Sequence, residues 1–304
     1  MIWVALAIVA STALGVAAER RHGERARLWT RQAITALLWF ALPFMTFFIL
    51  ARLELDAGVG GGLLLAYTEL AIVAGLAYLV GARVLRLRRH QTGALVVVVA
   101  LANTGYLGIP LCAALLGRDA IGPAIAFDTV VSGPMFYGAG FAIGAAFGIA
   151  AGTTAGERLR AFLRNPPLVA VIAGLLAPDA LAPDALVDVA EILAIAILPV
   201  GFFILGVNLA SEAEEGALAF PPPFTRPVAA ALGLRLLVAP ALMLALSGAI
   251  VTVPDAYLVQ AAMPSGINTL VVAHAYDLDL RLAAGAIAWT TALAVAGALA
   301  GVAL

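Results

Sequence analysis

Long apolar runs, interrupted at intervals by arginine clusters or by proline- and glycine-rich stretches, set the pattern of the chain. A helix that crosses a bilayer takes roughly 20 apolar residues. Windows of this kind fall at residues 2–18, 33–51, 60–82, 93–117, 120–150, 168–181, 185–210, 228–253, 256–276 and 282–304. The pattern predicts an all-α integral membrane protein with ten transmembrane helices. The sixth window is short and opens on Pro166 and Pro167, where proline suits the first helical turn. The first window is not expected to be a signal peptide. No positive charge precedes its apolar run, and arginines follow it.

Composition agrees. Of the 304 residues 63% are hydrophobic and 12% charged, against about 45–50% and about 25% in soluble domains. A water-soluble globule, a disordered chain and a nucleic-acid binder are excluded. The formal net charge of −1 implies no charged macromolecular partner. All 17 basic residues are arginine, so a Schiff-base or P-loop lysine is impossible. The single cysteine, Cys112, excludes an internal disulfide framework and a thiolate metal cluster. No metal or cofactor is expected.

The arginines also orient the chain. Arg20, Arg21, Arg25, Arg27, Arg31, Arg83, Arg86, Arg88, Arg89, Arg158, Arg160, Arg164, Arg226 and Arg281 share one side, Arg52 and Arg118 lie on the other, and Arg235 falls inside a span. The positive-inside rule puts the larger set in the cytoplasm. Both termini then face outward, which requires an even number of spans. A multi-pass protein of the cell inner (plasma) membrane is expected.

The two halves look alike. Leu42-Pro43 precedes Phe47-Phe48-Ile49-Leu50, and Leu198-Pro199 precedes Phe202-Phe203-Ile204-Leu205, with a slip of one residue. Asn103-Thr104-Gly105 in the fourth span corresponds to Pro264-Ser265-Gly266 in the ninth. Five spans are an odd number, so the second unit enters the membrane from the opposite side, as an inverted repeat of the kind found in secondary transporters. The expected units are residues 1–150 and 166–304, joined by a cytoplasmic linker at 151–165. Two connections, Asp56–Gly62 and Ser211–Pro227, join the first two spans of each unit to its last three. They read either as plain surface loops or as links between a static and a moving bundle.

Candidate chemistry sits where spans break. Residues 102–110 (ANTGYLGIP) carry two glycines, a proline and an amide; residues 263–269 (MPSGINT) resemble them. Proline removes a backbone donor and blocks the carbonyl four residues earlier. A half-helix N-terminus carries partial positive charge. Two breaks meeting at mid-membrane would make a site for a small anion. Asn103, Thr104, Gly105, Pro264, Ser265, Gly266, Asn268 and Thr269 are the candidate substrate-binding residues. Asp128 and Glu69 are candidate ion-coupling residues, because intramembrane carboxylates are costly. Asp128 could equally bond to Thr129, Ser132 or a carbonyl. Glu69 could pair with Arg235, unless Arg235 snorkels to the cytoplasmic face. Asn208 reads as helix glue and His274 as an interfacial residue.

These same segments resemble the auxin efflux carrier family. NTGYLGIPL with LLGRDA is similar to its fourth helix, AAMPSGINTLVVAHAYDLD to its ninth, and ILPVGFFILGVNLA to its seventh. The resemblance implies two inverted five-helix repeats with broken crossover helices four and nine. It also implies carriage of small carboxylates, in a bacterial-type short member without the long central loop of the plant carriers. Ala102 stands where the plant motif has proline. The expected mechanism is elevator-type alternating access, with spans three to five and eight to ten moving against a scaffold of spans one, two, six and seven. That scaffold could form a homodimer. A sodium- or proton-coupled symporter of the bile-acid type is the close alternative. An intramembrane enzyme is disfavoured, since H-E-x-x-H and G-x-S-x-G are absent.

Overall fold

A computed structural model describes residues 2–53, 56–149, 156, 166–214 and 222–303. The expected linker therefore lies outside the described residues except for Gly156, as does the middle of the Ser211–Pro227 connection. The described residues are helical, with no β-strand beyond one isolated bridge. In chain order the helices are α1 (Ile2–His22), α2 (Glu24–Leu50), α3 (Ala57–Val84), α4 (Arg89–Ala100), α5 (Thr104–Leu116), α6 (Arg118–Phe147), α7 (Pro166–Leu176), α8 (Asp184–Glu214), α9 (Arg226–Ala249), α10 (Asp255–Ala261), α11 (Asn268–Tyr276) and α12 (Leu280–Ala303).

Among the described residues six helices are long and apolar enough to cross a membrane: α2, α3, α6, α8, α9 and α12. The fourth and ninth apolar windows each hold two shorter helices instead, α4 with α5 and α10 with α11. The outer surface carries large apolar side chains, among them Trp39, Phe40, Leu64, Ile172, Leu237 and Leu244. Apolar surface on this scale is stable against lipid and not against water.

Small residues let the helices pack closely. α4 is the most enclosed helix, with every residue from Thr92 to Ala100 buried among α3, α6, α9, α11 and α12. α1 lies along α8, and the two backbones approach through Gly15 and Gly206. A Cβ on either glycine would stand 2.2 Å from a carbonyl oxygen of the partner helix. α7 packs on α2 and α8 packs on both α1 and α2.

One expectation needs correction. The glycine-rich segment Asp56–Gly62 is not a surface loop. It is the first turns of α3, capped by Asp56, whose Oδ1 accepts the Val59 N–H at 2.7 Å. Its glycines make room for residues 251–257: a Cβ on Gly58 would lie 2.7 Å from the Thr252 carbonyl, and one on Gly62 2.6 Å from the Tyr257 ring. The N-cap supplies the start signal and tight packing the reason for glycine.

Candidate functional site

The chain leaves helical geometry at residues 101–103 and again at 262–267. Breaks of this kind free backbone groups that lipid cannot satisfy. Here each break satisfies the other. The Asn103 N–H donates to the Pro264 carbonyl at 2.8 Å, and the Gly266 N–H donates to the Leu101 carbonyl at 2.7 Å. Together they make an antiparallel bridge between Ala102 and Ser265. α5 then restarts with a π-type turn, in which the Gly108 N–H donates to Asn103 O at 3.1 Å. Pro110 follows within its first α-turn.

A cavity of about 450 Å³ lies against this junction. On one side it is lined by Asn103, Thr104, Gly105 and Tyr106 from the first break, Gly266, Ile267 and Asn268 from the second, and Asp128, Thr129 and Ser132 from α6. On the other side stand Ile34, Leu42, Met45 and Thr46 of α2 and Ile197, Ile204 and Asn208 of α8. The helices that begin at Thr104 and Asn268 both direct their N-terminal ends to this space. The first N–H groups of a helix have no intrahelical acceptor, and the end carries about half a positive charge.

The predicted site residues divide into two groups. Asn103, Thr104, Gly105, Gly266 and Asn268 line the cavity, and Asp128 with them. Asn103 is 4% exposed, and its amide Nδ2 has no hydrogen-bond partner. Pro264, Ser265 and Thr269 stand behind the wall and hold the backbone. The Ser265 hydroxyl donates to the Val98 carbonyl at 2.7 Å, and its N–H donates to Thr290 Oγ1 at 3.1 Å. The Thr269 hydroxyl donates to the Gly266 carbonyl.

The partner of Asp128 is neither Thr129 nor a carbonyl. The Thr104 hydroxyl donates to Asp128 Oδ1 at 2.5 Å, and the same hydroxyl lies 2.9 Å from Ser132 Oγ. Among the described residues Asp128 is the sole carboxylate that lines the cavity, and no arginine or histidine lines it. Glu69 is fully buried away from it, with neither carboxylate oxygen hydrogen-bonded. Arg235 does not snorkel; it is 1% exposed and spends its guanidinium on backbone carbonyls.

Sequence reasoning underweighted three lining residues. Asn208, read as glue, faces the cavity, as do the phenols Tyr106 and Tyr137. Asn208 is the only amide in the second half of α8, a signal that could have found it. Tyr106 packs on α8 at Gly201, where a Cβ would stand 2.6 Å from its ring. Asp279 caps α12 by accepting the Leu282 N–H at 2.9 Å.

Residues 156–299 match a family of membrane transport proteins. The matched stretch is similar to the auxin efflux carriers. Within residues 156–299 lie α7 to α11 with most of α12, and thus the second break, Asn268 and Arg235. Over 277 residues the chain is also 26% identical to the uncharacterized transporter MJ1031 of Methanocaldococcus jannaschii, covering 84% of this chain and 83% of that protein. Both similarities point to a membrane transporter and neither to an enzyme.

Proposed function

We propose that the protein is a secondary carrier for a small organic anion, a carboxylate, bound where the two helix breaks meet. The observation that carries this reading is the buried, unpartnered Asn103 amide at the wall of a cavity that two helix N-termini face. A neutral donor set with helix-end dipoles can hold a carboxylate without a cationic side chain. On this reading ten spans form two inverted five-helix repeats. The fourth (α4 with α5) and the ninth (α10 with α11) are the crossover helices.

The cavity lies between two groups of helices, which favours an elevator-type mechanism. One group, α3–α6 with α9–α12, carries the breaks; the other, α1, α2, α7 and α8, is the scaffold and a candidate dimer face. From the breaks the lining runs toward Ile34 of α2, Phe141 of α6 and Asn208 of α8, each in the half of its helix on the side that the arginine pattern assigns to the cytoplasm. At the opposite end Arg118, the first residue of α6, reaches Asp188 at 3.3 Å and Glu191 at 3.4 Å on α8. Arg118 and Asp188 are largely exposed, and an exposed pair is worth only about 0–1 kcal/mol. Such a latch suits a contact that must open in every cycle. On this reading the conformation is one open toward the cytoplasm.

Orientation is tested by single cysteines in a Cys112→Ala background. Gly60 and Ala185 are exposed positions at one end, Arg25 and Arg86 at the other. The first two should react with a membrane-impermeant maleimide from outside, the last two only after permeabilisation. The opposite pattern would reverse the assignment.

The function is tested by uptake of carboxylates into proteoliposomes, with voltage, proton and sodium gradients varied separately. Saturable uptake of at least one carboxylate is expected, and none across the panel would refute the reading. The place of Asp128 favours a second reading, coupling to a cation or proton, because an ionised carboxylate in the wall opposes an anion. Asp128→Asn separates the two. The carrier without coupling should keep its uptake and its gradient dependence. A coupled symporter should lose the gradient dependence while retaining exchange.

A further inference from the structure

α4 stops at Ala100 and α10 at Ala261, both inside the protein. Each end leaves carbonyls without intrahelical donors and about half a negative charge. Two such ends brought together in an apolar interior repel each other. Arg235, projecting from α9, sits at their meeting point. Its Nε donates to Met263 O at 2.9 Å, its Nη1 to Val99 O at 3.1 Å and its Nη2 to Ala261 O at 2.5 Å. One planar guanidinium thus holds carbonyls from the ends of both helices, whereas a lysine carries its three donors on one nitrogen and cannot spread them over the same width. Glu69 on α3 is fully buried as well. It interacts with Arg235 through space, with neither carboxylate oxygen in a hydrogen bond.

We propose that Arg235 is a positioning residue: it gathers the C-terminal ends of both interrupted helices, and so leaves the cavity facing their N-terminal partners alone, which sets the charge preference of the site. The clamp stands on the hydrogen bonds themselves; the charge preference rests on the reading of the cavity as an anion site. Neither Arg235 nor Glu69 touches the cavity, so the effect on ligand is indirect.

The test removes the buried pair together, because Arg235→Met alone would strand the Glu69 charge. Glu69→Leu/Arg235→Met and Arg235→Lys are compared with wild type in two measurements. The first is peptide-level hydrogen exchange over residues 99–108 and 261–270, with residues 57–66 as a control. Exchange should rise at least tenfold in both breaks together in the double variant, by less in Arg235→Lys, and not in the control. Faster exchange in one break only, in neither, or in all three segments would overturn the clamp. Arg235→Lys carries the same test if the double variant does not fold. The second is binding of benzoate against benzamide, a probe of similar shape without the charge. The preference for benzoate should fall at least tenfold in the double variant. An unchanged preference with both breaks loosened would overturn the charge-setting role. A wild type that does not prefer benzoate would refute the anion reading instead, while hydrogen exchange still decides the clamp.

Discussion

A single methyl group at position 266 should stop transport while the protein still folds. A Cβ on Gly266 would stand 2.8 Å from the Ala102 carbonyl oxygen, 3.1 Å from its carbon and 3.3 Å from the Leu101 oxygen. All three are backbone atoms, so no side chain can swing aside. The Gly266 N–H also makes one of the two bonds of the bridge. Gly266→Ala must therefore push the two breaks apart. Overpacking of this kind costs typically about 1–3 kcal/mol, enough to lower the melting temperature by several degrees without unfolding. The cavity loses its floor at the same time, and uptake of the best carboxylate should fall at least a hundredfold. Gly248→Ala on α9 is the control, because nothing lies within 4 Å of its Cβ position. Equal uptake in the two variants would show that the bridge does not shape the site.

Asn103→Ala should separate binding from stability, with opposite signs. The Asn103 Nδ2 is buried and unpartnered, and an unmade hydrogen bond of this kind costs about 1–3 kcal/mol. Removing it should leave the free protein as stable as wild type or more so. A donor to a charged ligand contributes roughly 1.5–3 kcal/mol, so carboxylate affinity should drop about tenfold to a hundredfold. An asparagine that merely glues helices would do the reverse, lowering stability and sparing affinity. Thermal unfolding without ligand and a binding isotherm, measured on the same preparation, decide between them. A site that keeps a costly donor in readiness exchanges stability for function.

Much of this molecule was legible in one dimension. The apolar windows marked the helical stretches, because a chain in lipid must bury its backbone polar groups within helices. The two breaks were visible as proline, glycine and asparagine in spans that otherwise carry aliphatic residues. Asp56–Gly62 was misjudged for a physical reason. Glycine reads as a flexible link, yet here it serves close packing against residues 251–257. Asn208 was undervalued because an amide in a span bonds to neighbouring helices as readily as to a ligand.

Sequence alone determined that the chain is a helical membrane protein, that two of its apolar stretches are interrupted, and which polar residues sit at the interruptions. Each of these follows from local rules: hydropathy over some twenty residues, and the backbone limits of proline and glycine. Only the tertiary structure decided which of those residues face a cavity and which support it. Ser265 and Thr269 look like Asn103 and Thr104 in the sequence, yet their hydroxyls are held by carbonyls behind the wall. Arg235 read as half of an ion pair or as a snorkelling charge, and it holds carbonyls at the ends of both interrupted helices instead. Its bonds to Val99 and Met263 join segments 136 and 28 residues apart. No local pattern encodes such contacts, because they exist only once the helix ends have been brought together.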